Sequence, residues 1–85
     1  MGIKVTVKLY ALLSQYLPPE AADNQVELEV AEGTTPEELF SRFNMPREHC
    51  HLVLVNGVYI EPSQRGEYAL QDNDALAVWP PVAGG

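Results

Sequence analysis

An 85-residue chain has material for one domain with a single modest core, and 46% apolar with 20% charged residues excludes a disordered polar tract. Five basic against twelve acidic residues leave a net charge of −7, which disfavours docking on a phosphate backbone or an anionic lipid surface and points to a protein partner with a basic rim. No apolar stretch approaches the about 20 residues a membrane helix needs, and no basic-then-apolar leader opens the chain, so neither a membrane span nor a secretory signal is expected.

The first segment, Ile3-Lys4-Val5-Thr6-Val7-Lys8-Leu9-Tyr10, alternates strictly. Ile3, Val5, Val7 and Leu9 share one face and Lys4, Thr6, Lys8 and Tyr10 the other, the pattern of a half-buried strand. Ala11-Leu12-Leu13-Ser14-Gln15-Tyr16-Leu17 reads as a short helix stopped by Pro18-Pro19. After a polar loop, Gln25-Val26-Glu27-Leu28-Glu29-Val30 alternates again, with Val26, Leu28 and Val30 inward. Thr35-Pro36-Glu37-Glu38 is a capping box with proline at the first helical position, and it opens a helix that carries Leu39, Phe40 and Phe43 on one face. Asn44 suits a left-handed cap and Pro46 forbids continuation. The apolar run Leu52-Val53-Leu54-Val55 predicts a strand buried on both faces, mostly core, with one face set against a partner as the alternative. Asn56-Gly57 predicts a tight hairpin into Val58-Tyr59-Ile60. Arg65, in the loop that follows, is expected to lie exposed, idle as surface arginines usually are or else paired with an acidic partner. Gln71-Asp72-Asn73-Asp74 is a turn by composition, and Ala75-Leu76-Ala77-Val78-Trp79 is the last strand, ended by Pro80-Pro81.

This order predicts an α+β fold: a mixed sheet of four to five strands with one main helix on one face. The compact arrangement of that kind is the β-grasp, with the first and last strands side by side at the sheet centre. Conventional catalysis finds little support. His49-Cys50-His51 groups a nucleophile with two bases, but strand alternation sends Cys50 away from both histidines, and the plainer reading is a buried thiol between exposed rings. Glu27 and Glu29 form a solvated face, Glu37 and Glu38 serve the cap, and Asp72 and Asp74 serve the turn. No metal-ligand spacing is visible, so no bound metal is expected. A single cysteine permits no internal disulfide and fits a reducing compartment, which points to the cytoplasm.

The end of the chain is different, because no folding role explains it. Gly84 and Gly85 follow the Pro-Pro stop; they add nothing to a core and cost ordering entropy. A backbone without side chains can, however, thread a narrow slot and present a terminal carboxylate. That carboxylate becomes electrophilic once it is joined to AMP as an acyl-adenylate. The plainer reading is a frayed terminus.

These residues carry a resemblance. Leu70-Gln71-Asp72-Asn73-Asp74-Ala75-Leu76-Ala77-Val78-Trp79-Pro80-Pro81-Val82-Ala83-Gly84-Gly85 resembles the C-terminus of the MoaD/ThiS ubiquitin-like sulfur carriers. Tyr10-Ala11-Leu12-Leu13, Gly33-Thr34-Thr35 before Glu37-Glu38-Leu39, and Val55-Asn56-Gly57 are similar to the same family. The resemblance implies a β-grasp domain over residues 1–81 and a tail over 82–85. It implies that a ubiquitin-activating-type adenylyltransferase uses ATP to adenylate Gly85, and that a sulfurtransferase or cysteine desulfurase then leaves a thiocarboxylate there. Val82, Ala83 and Gly84 would thread the partner's channel, and Trp79, Pro80 and Pro81 would meet its surface. The chain would bind no cofactor and catalyse nothing alone. The acceptor would be an enzyme such as the large subunit of molybdopterin synthase, as Trp79-Pro80-Pro81-Val82 suggests, or thiazole synthase, as the segment Val55-Asn56-Gly57-Val58-Tyr59-Ile60 suggests. A protein modifier joined to lysines through Gly85, and a binding module with an inert tail, are the alternatives.

Overall fold

The structure is a computed structural model that describes residues 2–81. Five strands and one α-helix form a mixed sheet with the helix on one face: β1 (Gly2–Leu9), β2 (Gln25–Ala31), α1 (Pro36–Arg42), β3 (Leu52–Val55), β4 (Val58–Tyr59) and β5 (Ala75–Trp79). The sheet order is β2-β1-β5-β3-β4. The first and last strands are thus central neighbours and run parallel, Leu9 opposite Val78, while every other pair is antiparallel. This is the β-grasp arrangement that the element order predicts.

Alternation along β1 and β5 places Val5, Val7, Leu9, Leu76 and Val78 on the helix side, all fully buried. Leu39 and Phe40 of α1 close over them. The helix starts as its sequence dictates: the Thr35 hydroxyl accepts from the Glu38 amide, and the Glu38 carboxylate accepts from the Thr35 amide at 2.9 Å. Asn44, just past the helix end, has φ +61, as a left-handed cap requires. The helical reading of Ala11 onward is realised as a 3₁₀ helix over Ala11–Tyr16.

One expectation fails. β3 is not buried on both faces: Val53 and Val55 face the helix, whereas Leu52 is exposed and Leu54 half-buried on the other side. A continuous apolar run is consistent with two-sided burial, but α1 covers only one face of this sheet, so the second apolar row of β3 stays uncovered.

Side-chain hydrogen bonds join the hairpin to the turn before β5. Asn56 (φ +53) and Gly57 (φ +84) take the two left-handed positions of the hairpin turn. The Asn56 amide group donates to the Asp74 carboxylate at 2.8 Å, and its carbonyl oxygen accepts from the Ala75 amide at 2.9 Å. Asp74 is buried and also accepts from the Gln71 amide, so the acids of this turn have the structural role assigned to them. Asp72 accepts from the Lys4 amide at 2.8 Å and stitches the turn to β1. Replacing Asn56 by Ala removes two bonds and leaves Asp74 one donor short. We expect a loss of about 2 kcal/mol, read as a Tm drop of roughly 10 °C in a domain of this size. Asn56→Gly should fall almost as far, because the lost bonds outweigh the relief at positive φ. A Gly variant as stable as the parent would show that backbone conformation, not the bonds, matters there.

Candidate functional site

The sequence singles out the C-terminal segment, and the described part of it is the tail's root. Trp79 ends β5 and is held from three directions. Its ring stacks on Tyr10 with centroids 4.4 Å apart and planes 9° from parallel. Its carbonyl oxygen accepts from the His51 amide at 3.0 Å. Its backbone pairs with Leu52 of β3. The Tyr10 amide in turn donates to the Val78 carbonyl at 3.2 Å, which extends the parallel β1–β5 ladder by one step. Trp79 therefore belongs to the open face of the sheet, partly buried beneath another aromatic ring, and not to the core. Pro80 is half-buried and Pro81 exposed. The tail positions Val82, Ala83, Gly84 and Gly85 lie outside the described residues.

The open face around this root is apolar. Leu52 lies opposite Trp79, and Leu54 lies between Ala77 on β5 and Tyr59 on β4. Towards β2 the face turns polar, with Lys8 beside Gln25 and Thr6 beside Glu27. An apolar strip bounded on one side by charge is the usual make-up of a protein-contact surface. Sequence reasoning missed the contribution of Tyr10: alternation placed it with the lysines, and only the register of the central pair brings its ring onto Trp79.

The His49-Cys50-His51 segment does not form a reactive cluster. A 3₁₀ turn over Arg47–His49 leads into it; both histidines are exposed and Cys50 is buried, its thiol 3.6 Å from the Pro46 carbonyl. Burial pushes the Cys50 thiol from the ordinary 9.0 up to about 11, against the opposing pull of Arg47 and Arg65. Such a thiol is a poor nucleophile at neutral pH. Because the folded pKa lies above the unfolded one, the stabilisation is complete below pH 9 and is lost as pH rises from about 9 to 11. We expect the Tm of the parent to fall across that window more steeply than that of Cys50→Ala. Parallel curves would show that the thiol does not titrate late. Among the described residues no group of three or more His, Cys, Asp or Glu side chains could hold a metal ion.

Arg65 is the second correction. It is not exposed but 6% accessible, and its guanidinium is spread over backbone carbonyls. Nε donates to Ile60 at 2.9 Å, Nη1 to Cys50 at 2.8 Å and Nη2 to His51 at 3.2 Å. The Tyr59 ring lies 5.8 Å from the guanidinium carbon. The planar fork satisfies carbonyls that the entry to β3 and the exit from β4 leave without strand partners. No buried side-chain nitrogen or oxygen among the described residues is left unpaired.

The site thus consists of a clamped aromatic root, an apolar open face and a terminus of small residues. Comparison with known proteins bears on the fold and the family. No curated protein matches the sequence. Among solved structures, a protein described as molybdopterin converting factor, subunit 1, from Pyrococcus furiosus shares 26% identity at a TM-score of 0.63, covering 94% of this chain and 99% of that one. Small archaeal modifier protein 1 from Haloferax volcanii shares 25% identity at 0.66, covering 96% and 99%. Its namesake from Methanosarcina acetivorans shares 22% at 0.65, covering 100% and 99%, a likeness of fold. The ThiS family model matches residues 7–85, through Trp79 and the final Gly84-Gly85. With most of its β-grasp sheet and that terminal stretch inside one continuous match, the chain belongs to the ThiS family.

Proposed function

We propose that the chain is a ubiquitin-like sulfur carrier whose working group is the Gly85 carboxylate. The observation that carries this reading is the family match, which extends through the final Gly84-Gly85. In the proposed cycle the Gly85 carboxylate attacks the α-phosphorus of ATP on a ubiquitin-activating-type adenylyltransferase and expels pyrophosphate. The persulfide of a sulfurtransferase or cysteine desulfurase attacks the acyl carbon and expels AMP. A second thiol then cleaves the resulting acyl disulfide, leaving a thiocarboxylate on Gly85 and a disulfide on the donor. The chain supplies no acid, base or metal to these steps. Its contribution is a small-residue tail (Val82, Ala83, Gly84) that can enter a channel, and a rigid root at Trp79, Pro80 and Pro81 that fixes where the channel must lie.

For the acceptor we propose the large subunit of a molybdopterin synthase, on the Trp79-Pro80-Pro81-Val82 ending and the likeness to the Pyrococcus furiosus protein. Thiamin thiazole formation is the corresponding alternative within the family. The likeness to the Haloferax volcanii modifier supports a second reading, in which Gly85 is joined to lysine side chains of other proteins. Both readings place the chain in the cytoplasm, where the single cysteine would stay reduced.

The test is an intact mass after incubation with ATP, the host's adenylyltransferase and a persulfide donor. A gain equal to one oxygen replaced by sulfur, absent without ATP, is expected. No gain, with lysine conjugates appearing in cells instead, would favour the modifier reading.

A further inference from the structure

The shortness of the tail limits where an activating enzyme can touch the domain. Four residues follow Pro81, and at about 3.5 Å each they reach no more than about 14 Å. On the reading of Gly85 as the reacting terminus, the enzyme that receives it must rest on the domain close to Pro81. Around that point meet the end of β1, the end of β5, the start of β3 and the 3₁₀ helix Ala11–Tyr16, which packs against β1 and β5.

That helix displays an apolar side chain. Leu12 is 74% accessible, the highest value among the large hydrophobic residues described, while its neighbour Leu13 is fully buried. The residue before it, Ala11, has φ +53, a conformation that L side chains other than Asn and Asp rarely adopt. Alanine has no polar side chain to compensate for that conformation. A strained backbone position thus sits between the stacked Tyr10 ring and an exposed leucine, next to the root of the reactive tail. Strain at such a place is a mark of function more than of folding.

We propose that Leu12 is a docking contact for the adenylyltransferase that activates Gly85, and that the left-handed turn at Ala11 presents it. Leu12 would add to the apolar strip of Leu52, Leu54 and Trp79 at the end of the sheet where β5 stops.

The experiment is ATP–pyrophosphate exchange with the host's ubiquitin-activating-type adenylyltransferase and labelled pyrophosphate. It compares the parent chain, Leu12→Ser, Val58→Ser and the chain lacking Gly85. Val58 is the matched control: it is 63% accessible but lies opposite Val55, on the helix side of the sheet. Leu12→Ser should raise the KM for the carrier about tenfold, with kcat and Tm unchanged. Val58→Ser should leave KM where it is. A KM for Leu12→Ser within about twofold of the parent overturns the proposal, as does an equal rise for both variants. So does loss of a parent dimer on Leu12→Ser with KM unchanged, which would make a second copy the occupant. Parent exchange that does not depend on Gly85 would sink the carrier reading itself and this inference with it. Gly85-dependent exchange with an unaltered Leu12→Ser would sink this inference alone.

Discussion

Removing Gly85 should abolish adenylation and leave the melting temperature of the domain unchanged. The two halves of this expectation have separate physical causes. Every fully buried side chain among the described residues comes from the segment ending at Val78, and the last ladder pair is Trp79 with Leu52. The core of the described residues therefore closes before Pro80-Pro81, and Gly85 has no side chain to add to it. The proposed chemistry, by contrast, needs a carboxylate at that position, preceded by a residue slim enough to follow it into a channel. A chain ending at Gly84 still has a terminal carboxylate, but it is drawn back by about 3.5 Å. A near-attack geometry tolerates far less than that, since an error of about 1 Å can cost about 10²-fold in rate. A tag fused after Gly85 should be equally inactivating, because the glycine then carries an amide where the carboxylate was. Two measurements decide the matter: ATP–pyrophosphate exchange for activity and thermal unfolding for stability. An active uncleaved tagged chain would refute the mechanism. A Tm shift of more than a few degrees on deleting Gly85 would show that the terminus packs on the domain.

Much of this architecture was legible because the informative signals are local. Strict alternation over Ile3 to Leu9 assigns the core side of β1 without any knowledge of its neighbours. The Thr35–Glu38 box marks the start of α1 through atoms three residues apart. Asn44, Asn56 and Asn73 all occupy positive φ, where residue type alone makes a left-handed turn affordable. What was misread depends on distant contacts. Leu52 and Leu54 read as core because nothing in their own segment tells that only one face of the sheet carries a helix. Arg65 read as a surface cation because its loop gives no hint that the carbonyls of Cys50 and His51, 15 and 14 positions earlier, converge on it. The candidate site divides in the same way. Its terminal motif stands in the sequence, but the stacking of Tyr10 on Trp79 requires the parallel register of β1 with β5, and neither the exposure of Leu12 nor the left-handed Ala11 before it is announced by a local rule.

Arg65 also gives the largest stability effect we expect from a single side chain outside the apolar core. Its guanidinium bonds three carbonyls, from Ile60, Cys50 and His51, in a site with almost no solvent access. Arg65→Met keeps much of the apolar stem but strands those three acceptors. Each buried group left without a partner costs about 1–3 kcal/mol, partly offset by relief from burying a cation. A net loss of about 4 kcal/mol follows, equivalent to a Tm lower by roughly 15–30 °C. Arg65→Lys keeps the charge but not the fork; one ammonium cannot reach three carbonyls laid out for a planar group, so most of the loss should remain. The effect should also travel. The His51 residue whose carbonyl Arg65 holds donates its own amide to the Trp79 carbonyl, so a loosened β3 entry loosens the root of the tail. The chain has a single tryptophan, and its native-state fluorescence reports on that root directly. In Arg65→Lys, below its melting transition, we expect emission shifted to the red as the Tyr10–Trp79 stack opens to water. Activation by the adenylyltransferase should weaken in parallel at a temperature where the variant is still folded. A lysine variant within about 1 kcal/mol of the parent would mean that charge alone suffices at this position. An unshifted emission would mean that the root is held by the Tyr10 stack and the Leu52 ladder without help from Arg65.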